Sequence, residues 1–116
     1  MINGVHMVIY TRDAEADRAF FRDVLGYPQV DAGHGWLIFK APPAELAMHP
    51  AEGAPSHEVM LMCDDVEATV AELRKQDVEF TRPIRDERWG RVTSFRLPGG
   101  SELSLYEPLH PRAHDL

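Results

Sequence analysis

Cysteine is nearly missing from this 116-residue sequence, because Cys63 is the only one. A single cysteine forms no internal disulfide and leaves no CxxC zinc site. Its apolar neighbours, Met60 to Met62, indicate a buried and inert thiol rather than a nucleophile. The shortage of cysteine favours a reducing, cytoplasmic setting, and the N-terminus has no basic region followed by a long apolar stretch, as a secretory signal would.

Long apolar runs and basic clusters are also missing. No apolar run approaches the roughly 18 residues that cross a bilayer, so we expect no membrane partner. The formal net charge is −7, and a phosphate backbone would repel such a chain, so nucleic acid is an unfavourable partner. The sequence contains no Walker loop, GxGxxG, HExxH or Ser-His-Asp arrangement. Several large enzyme classes are therefore disfavoured.

Hydrophobic periodicity divides residues 1–50 into a strand, a helix and three more strands. Alternation over Val5–Ile9 predicts the first strand. Asp13 is a suitable cap for a helix over Asp13–Leu25, where apolar residues recur at three- and four-residue steps. Glycine and proline then punctuate three short strands. These are predicted at Tyr27–Val30, Trp36–Lys40 and Leu46–His49.

The same order of elements recurs after a linker at residues 51–56. Asp64 or Asp65 is a suitable cap for a helix over Asp65–Gln76, and Asp65 lies 52 residues after Asp13; the same step takes His6 to Glu58. We therefore predict two modules, at about 1–50 and 57–108, and a loose tail at 109–116. The strands of the second module are predicted at Glu58–Cys63, from Val78 through Phe80, at Arg91–Leu97 and at Leu103–Tyr106.

Three segments resemble the vicinal oxygen chelate superfamily, which contains glyoxalases, bleomycin-resistance proteins and extradiol dioxygenases. They are FFRDVLGYP (Phe20–Pro28), CDDVEATVAELRKQDVEF (Cys63–Phe80) and WGRVTSFRLPGGSELSLYEP (Trp89–Pro108). The resemblance covers nearly the whole chain. It implies an α+β fold of two βαβββ modules, whose curved mixed sheets form a cleft, and it implies pairing into a homodimer.

Many members of that superfamily hold a divalent metal in the cleft, whereas others bind a drug or ligand without one. The resemblance places the first-strand ligands at His6 and Glu58 and the fourth-strand ligands near Ala47 and Ser104. Alanine has no donor and serine is a poor one for a divalent ion. We therefore predict an incomplete metal site. His6 and Glu58 remain candidates for a metal, for an acid/base pair, or for a hydrogen-bonded pair lining an empty cleft.

Seven further residues are predicted to contact a small molecule in the cleft. Strand alternation and the position of Trp89 beside a turn favour this, although packing of the sheet core is the competing interpretation for the methionines. The seven are Tyr10, His49, Met60, Met62, Trp89, Ser104 and Tyr106.

Two function classes follow from these residues. The first is a small-molecule-binding protein, without a confidently predicted cofactor. The alternative is a metal-dependent lyase, isomerase or dioxygenase that acts on a small oxygenated substrate. The missing fourth-strand ligands favour the binding protein.

Overall fold

A computed structural model describes Met1 and residues 3–116 of the chain, and its α+β class agrees with the sequence prediction. Every helix of this part falls short of the length and apolar character that a bilayer crossing requires. The helices are α1 (Ala14–Ala19), which continues as a π-helical segment (Phe20–Val24), α2 (Val66–Arg74) and a short 3₁₀ helix (Ala113–Asp115). The strands are β1 (Gln29–Asp31), β2 (Leu37–Phe39), β3 (Met60–Met62), β4 (Phe80–Glu87), β5 (Gly90–Arg96) and β6 (Glu102–Pro108).

The second half of the chain forms a complete βαβββ module. Its four-stranded sheet has the order β3-β6-β5-β4, with β3 parallel to β6 and the other neighbours antiparallel. The mixed sheet predicted for this half is therefore present. The first half contributes α1 and a two-stranded antiparallel sheet of β1 and β2. The count of two full modules stays a prediction.

Asp13 is confirmed as a helix cap, and Asp65 is the cap of the second helix out of the two predicted candidates. An Asp13 carboxylate oxygen accepts a hydrogen bond from the backbone N–H of Ala16 at 3.0 Å. Asp65 does the same for Ala68 at 3.1 Å. The side chains satisfy backbone donors that have no partner inside the first helical turn. The 52-residue repeat in the sequence thus marks equivalent helix starts.

The core lies between α2, the π-helical segment and one face of the large sheet. Val66, Val70 and Leu73 are buried, at the spacing predicted for the apolar stripe of α2. Phe20 reaches this core from the first half and stacks on Phe95 with ring centroids 6.0 Å apart. The other buried members are Val78, Leu97, Leu103 and Leu105. The opposite face of the sheet lies outside this core.

Two of the eight predicted strands are wrong. Val5–Ile9 and Leu46–His49 form no strand, although each shows the expected alternation. Alternation creates an apolar face but supplies no neighbouring edge, and a strand needs a partner for its backbone groups. Large apolar side chains on both segments are consequently exposed, among them Val5, Val8, Leu46 and Met48.

The tail at 109–116 is mostly exposed but makes polar contacts with the rest of the chain. Arg112 pairs with Asp64 at 3.2 Å and with Asp115 at 2.9 Å. The backbone N–H of Ala113 donates to the Glu45 carboxylate of the first half. These contacts join residues far apart in sequence, so local composition did not reveal them.

Candidate functional site

The face of the large sheet opposite α2 has small side chains along its middle. Ser94 of β5 lies beside Ser104 of β6, and Val92 lies beside Tyr106 one row further. On the outer side of β6, Met60 is opposite Ser104 and Met62 is opposite Tyr106. A row of short residues between longer ones therefore runs along β5 and β6 on this face. We call this part of the face the sheet groove; its floor is Val92, Ser94 and Ser104, of which Val92 and Ser94 are buried.

Arginine side chains of β4 form the other wall of the sheet groove, and the pairing of β4 with β5 contains two register shifts. Phe80 is opposite Phe95, but Arg82 is opposite Ser94 and Arg85 is opposite Val92, so β4 has extra residues at both steps. A bulge changes which face the following side chains take. Without the bulges, Arg82 would point into the core as Phe80 does. With them, both arginines lie on the groove side.

Aromatic residues close one end of the sheet groove. The rings of Trp89 and Tyr106 meet edge to face, with centroids 5.4 Å apart. His110 of the tail lies against Tyr106, and its Nε2 is 3.2 Å from the tyrosine hydroxyl. Its Nδ1 is 2.7 Å from the Pro111 carbonyl oxygen, which only accepts, so in neutral His110 Nδ1 carries the proton. Tyr106 therefore donates to Nε2.

The Tyr106 hydroxyl is held in its neutral form. Its pKa is raised by burial and, to a lesser extent, by the negative charge of Glu45. The residue is only 8% exposed, so its ring, with that of Trp89, forms a fixed end wall. Sequence alternation placed Tyr106 on this face, but the His110 contact comes from the tail and was not predicted.

Charged side chains close the other end of the sheet groove. Glu102 of β6 forms ion pairs with Arg96 at 3.2 Å and with Arg82 at 3.6 Å. Arg96 also lies 3.6 Å from Glu79. Further along β4, Arg85 pairs with Glu87 at 2.5 Å. Strict alternation from Phe80 would turn Arg82 into the core, so the sequence alone does not place Arg82 here.

The structure gathers five of the predicted site residues and leaves four apart. Met60, Met62, Trp89, Ser104 and Tyr106 border the sheet groove. The other four, His6, Tyr10, His49 and Glu58, are exposed on segments that form no strand. In the described part of the chain, no three His, Cys, Asp or Glu side chains come together as a metal site.

Two open cavities lie at the margins of the sheet. One of about 360 Å³ is bordered by Cys63, Asp64 and residues of the tail. The pKa of the Cys63 thiol is raised, first by burial and then by the nearby carboxylates, chiefly Glu107, which disfavours the nucleophilic thiolate. The other, about 660 Å³, lies between Tyr10–Arg12 and the turn at Pro98–Ser101.

Comparison with known proteins gives one consistent family. The model of the Glyoxalase/Bleomycin resistance protein/Dioxygenase superfamily matches residues 5–105. No curated protein matches the chain significantly.

Several solved structures are similar over most of their length. A lactoylglutathione lyase from Agrobacterium tumefaciens is 21% identical, with a TM-score of 0.66, covering 90% of this chain and 92% of its own. TnmS3, an antibiotic binding protein from Streptomyces sp. CB03234, is 25% identical, with a TM-score of 0.58 and coverages of 89% and 99%. A superfamily member from Sphaerobacter thermophilus DSM 20745 is 24% identical, with a TM-score of 0.65 and coverages of 91% and 98%.

Proposed function

The chain belongs to the glyoxalase/bleomycin resistance protein/dioxygenase superfamily, and from this premise we propose that it binds a small organic molecule in the sheet groove. One observation carries the proposal: a floor of small side chains lies between a methionine wall and an arginine wall, with Trp89 and Tyr106 at its end. Apolar surface with a few directed polar groups is what small-molecule sites offer, and methionine adapts to ligands of irregular shape.

The similarity to TnmS3 supports binding rather than turnover. That protein binds an antibiotic, and this chain matches 99% of its length at 25% identity. The lactoylglutathione lyase, at 21% identity, supports the fold alone. A cytoplasmic location belongs to the same proposal and is supported by the one free cysteine.

Tryptophan fluorescence tests the proposal directly. In a Trp36→Phe background, Trp89 is the only tryptophan, and it lies at the end of the sheet groove. Titration with a panel of aromatic and polycyclic compounds is expected to quench it saturably. Ser104→Leu, which fills the floor between Met60 and Ser94, is expected to abolish the quenching.

Glu67→Gln is the matched control, because Glu67 lies on α2, on the far side of the sheet. It should leave the quenching unchanged. If no member of the panel quenches Trp89, or if the quenching survives in Ser104→Leu, the sheet groove is not the binding site.

The four predicted residues outside the sheet groove belong to the same proposal. We propose that His6, Tyr10, His49 and Glu58 join a groove when two copies assemble into a homodimer. Their exposure on segments without a strand partner supports this. In that arrangement His6 and Glu58 are the candidate acid/base pair. Glu58→Gln is expected to weaken ligand quenching of Trp89.

The metal-dependent alternative fits the donor set poorly. His6 and Glu58 are the only candidate donors of the four aligned positions, since Ala47 and Ser104 occupy the other two. Two protein ligands hold a divalent ion weakly. Elemental analysis of the purified protein should therefore find little stoichiometric Zn²⁺, Ni²⁺, Mn²⁺ or Fe²⁺. About one equivalent of metal per chain, lost in His6→Ala, would instead favour the alternative function, a lyase, isomerase or dioxygenase.

A further inference from the structure

The two walls of the sheet groove differ in chemistry. One wall consists of Met60 and Met62 on β3, and the other contains Arg82 and Arg85 on β4. We propose that the ligand is an amphipathic carboxylate, with its anionic group on the arginine wall and a planar apolar part against the methionines and Trp89. This inference rests on the proposed function, because it names the class of ligand that the same groove accepts.

The β4 bulges place the arginines on this face. The first extra residue sets both Thr81 and Arg82 opposite Ser94, and Thr81 Oγ1 lies 3.0 Å from Ser94 Oγ. The second lets Ile84 pack on the core while Arg85 returns to the groove side. Bulges are common beside binding sites, where they re-aim a side chain.

Arg82 keeps unused capacity to bind an anion. Its closest carboxylate, Glu102, is 3.6 Å away and lies closer to Arg96, at 3.2 Å, although Arg96 also has Glu79 at 3.6 Å. Arg82 therefore has only one long ion pair, with a carboxylate that it shares. The Arg82 side chain is 54% exposed. Exposed ion pairs of this kind are weak, and a carboxylate that meets the guanidinium in bidentate geometry competes well with them.

Arg85 is the second, weaker contributor. It is more fully paired than Arg82, because Glu87 lies only 2.5 Å away. However, its side chain is 55% exposed, and its position opposite Val92 brings it towards the aromatic end of the groove. The pair therefore offers one strong and one supporting contact for an anion.

The span between the walls sets the size of the ligand. Three strand spacings separate β4 from β3, which amounts to about 14 Å between backbones, and the side chains of both walls reduce that span. A fused bicyclic ring with one carboxylate suits the remaining space. Ser104 on the floor is half-buried and small, so a flat ring can approach the sheet there, whereas Ser94 is buried beside it.

The net charge of the chain helps to identify the source of a preference for anionic ligands. At a net charge of −7, the protein as a whole repels anions. A preference for an anionic ligand must therefore come from local cationic groups, and it should weaken as salt screens them.

Isothermal titration calorimetry with two probes of the same shape tests the inference. The probes are 2-naphthoate and the neutral 2-naphthamide. Wild-type protein is expected to bind the carboxylate about tenfold more tightly than the amide, the order of magnitude for a charge-assisted hydrogen bond. Arg82→Gln should bring the two affinities together by weakening only the carboxylate. Arg82→Lys, which keeps the charge but loses the planar fork, should fall between them.

Lys75→Gln is the matched control, because it removes one positive charge from the end of α2. It should leave the preference unchanged. If both probes bind equally and Arg82→Gln changes neither, the anionic ligand class is wrong while the binding function stands. If neither probe binds and no compound quenches Trp89, the proposed function fails as well.

Discussion

Gly99 shows how one residue joins the two halves of the chain. Its backbone N–H donates to the buried Asp17 carboxylate of α1 at 2.7 Å. A Cβ at this position would lie 1.8 Å from Thr11 Oγ1 and 3.0 Å from both Asp17 oxygens. Glycine is therefore required here by close approach of another segment. The contact holds the first helix against the turn that precedes β6.

Gly99→Ala is expected to destabilise the protein by about 1–3 kcal/mol, because the extra methyl group pushes Thr11 and Asp17 away from residue 99. Urea denaturation followed by circular dichroism measures the change. Gly53→Ala is the control, since nothing lies within 4 Å of its added Cβ. An equal effect of the two substitutions would show that the contact with Asp17 is absent in solution.

At the scale of single elements, the stability of α2 depends on the contacts at its N-terminus. It has only nine residues, and its first turn carries the Asp65 cap. The backbone N–H of Val66 donates to Glu107 at 3.0 Å, which ties the helix to the end of β6. Short helices owe their stability to such caps and to packing rather than to propensity.

Asp65→Ala is expected to lower the free energy of unfolding by about 1 kcal/mol, because the Ala68 N–H loses its acceptor. The neighbouring Asp64→Ala removes the same charge but only an exposed ion pair with Arg112. It should therefore cost much less. Thermal or urea unfolding of both variants compares them, and equal losses would contradict the role of Asp65 as a cap.

Local elements were more predictable from the sequence than long-range ones. The caps Asp13 and Asp65 and the apolar stripe of α2 depend on neighbours within a few residues, and they were predicted correctly. Strands depend on a partner, so Val5–Ile9 and Leu46–His49 were predicted from alternation that has no edge to pair with. The tail contact with Glu45 and the bulges of β4 were not predicted, because both arise between residues far apart in sequence.

At the scale of the whole molecule, a single copy exposes too much surface. Its accessible area is 9028 Å², whereas a compact monomer of 13.1 kDa is expected to expose roughly 6,400 Å². Its radius of gyration is 15.1 Å, against roughly 13.4 Å for a compact chain of this length. The exposed apolar residues of the first half account for part of the excess. Pairing with a second copy would cover such a surface.

We therefore expect a homodimer at micromolar concentration, measured by multi-angle light scattering. Val5→Asp should shift the protein towards monomer, because Val5 is 84% exposed in one copy and an added charge costs little until it is buried by a partner. Ala71→Asp on the exposed face of α2 adds the same charge and should leave the mass unchanged. A wild-type protein that stays monomeric would refute the assembly.

The bulges of β4 also bear on how the protein could diverge. Each is a single extra residue, so a deletion at either bulge restores regular alternation and leaves the strand beyond it facing as before. Removing the codon for Thr81 would leave Arg82 alone opposite Ser94, still on the groove side. The strand can therefore lose a residue at a bulge without turning its arginines away. Homologues whose segment between Phe80 and Gly90 is one residue shorter should accordingly keep the arginine wall and its ligand preference.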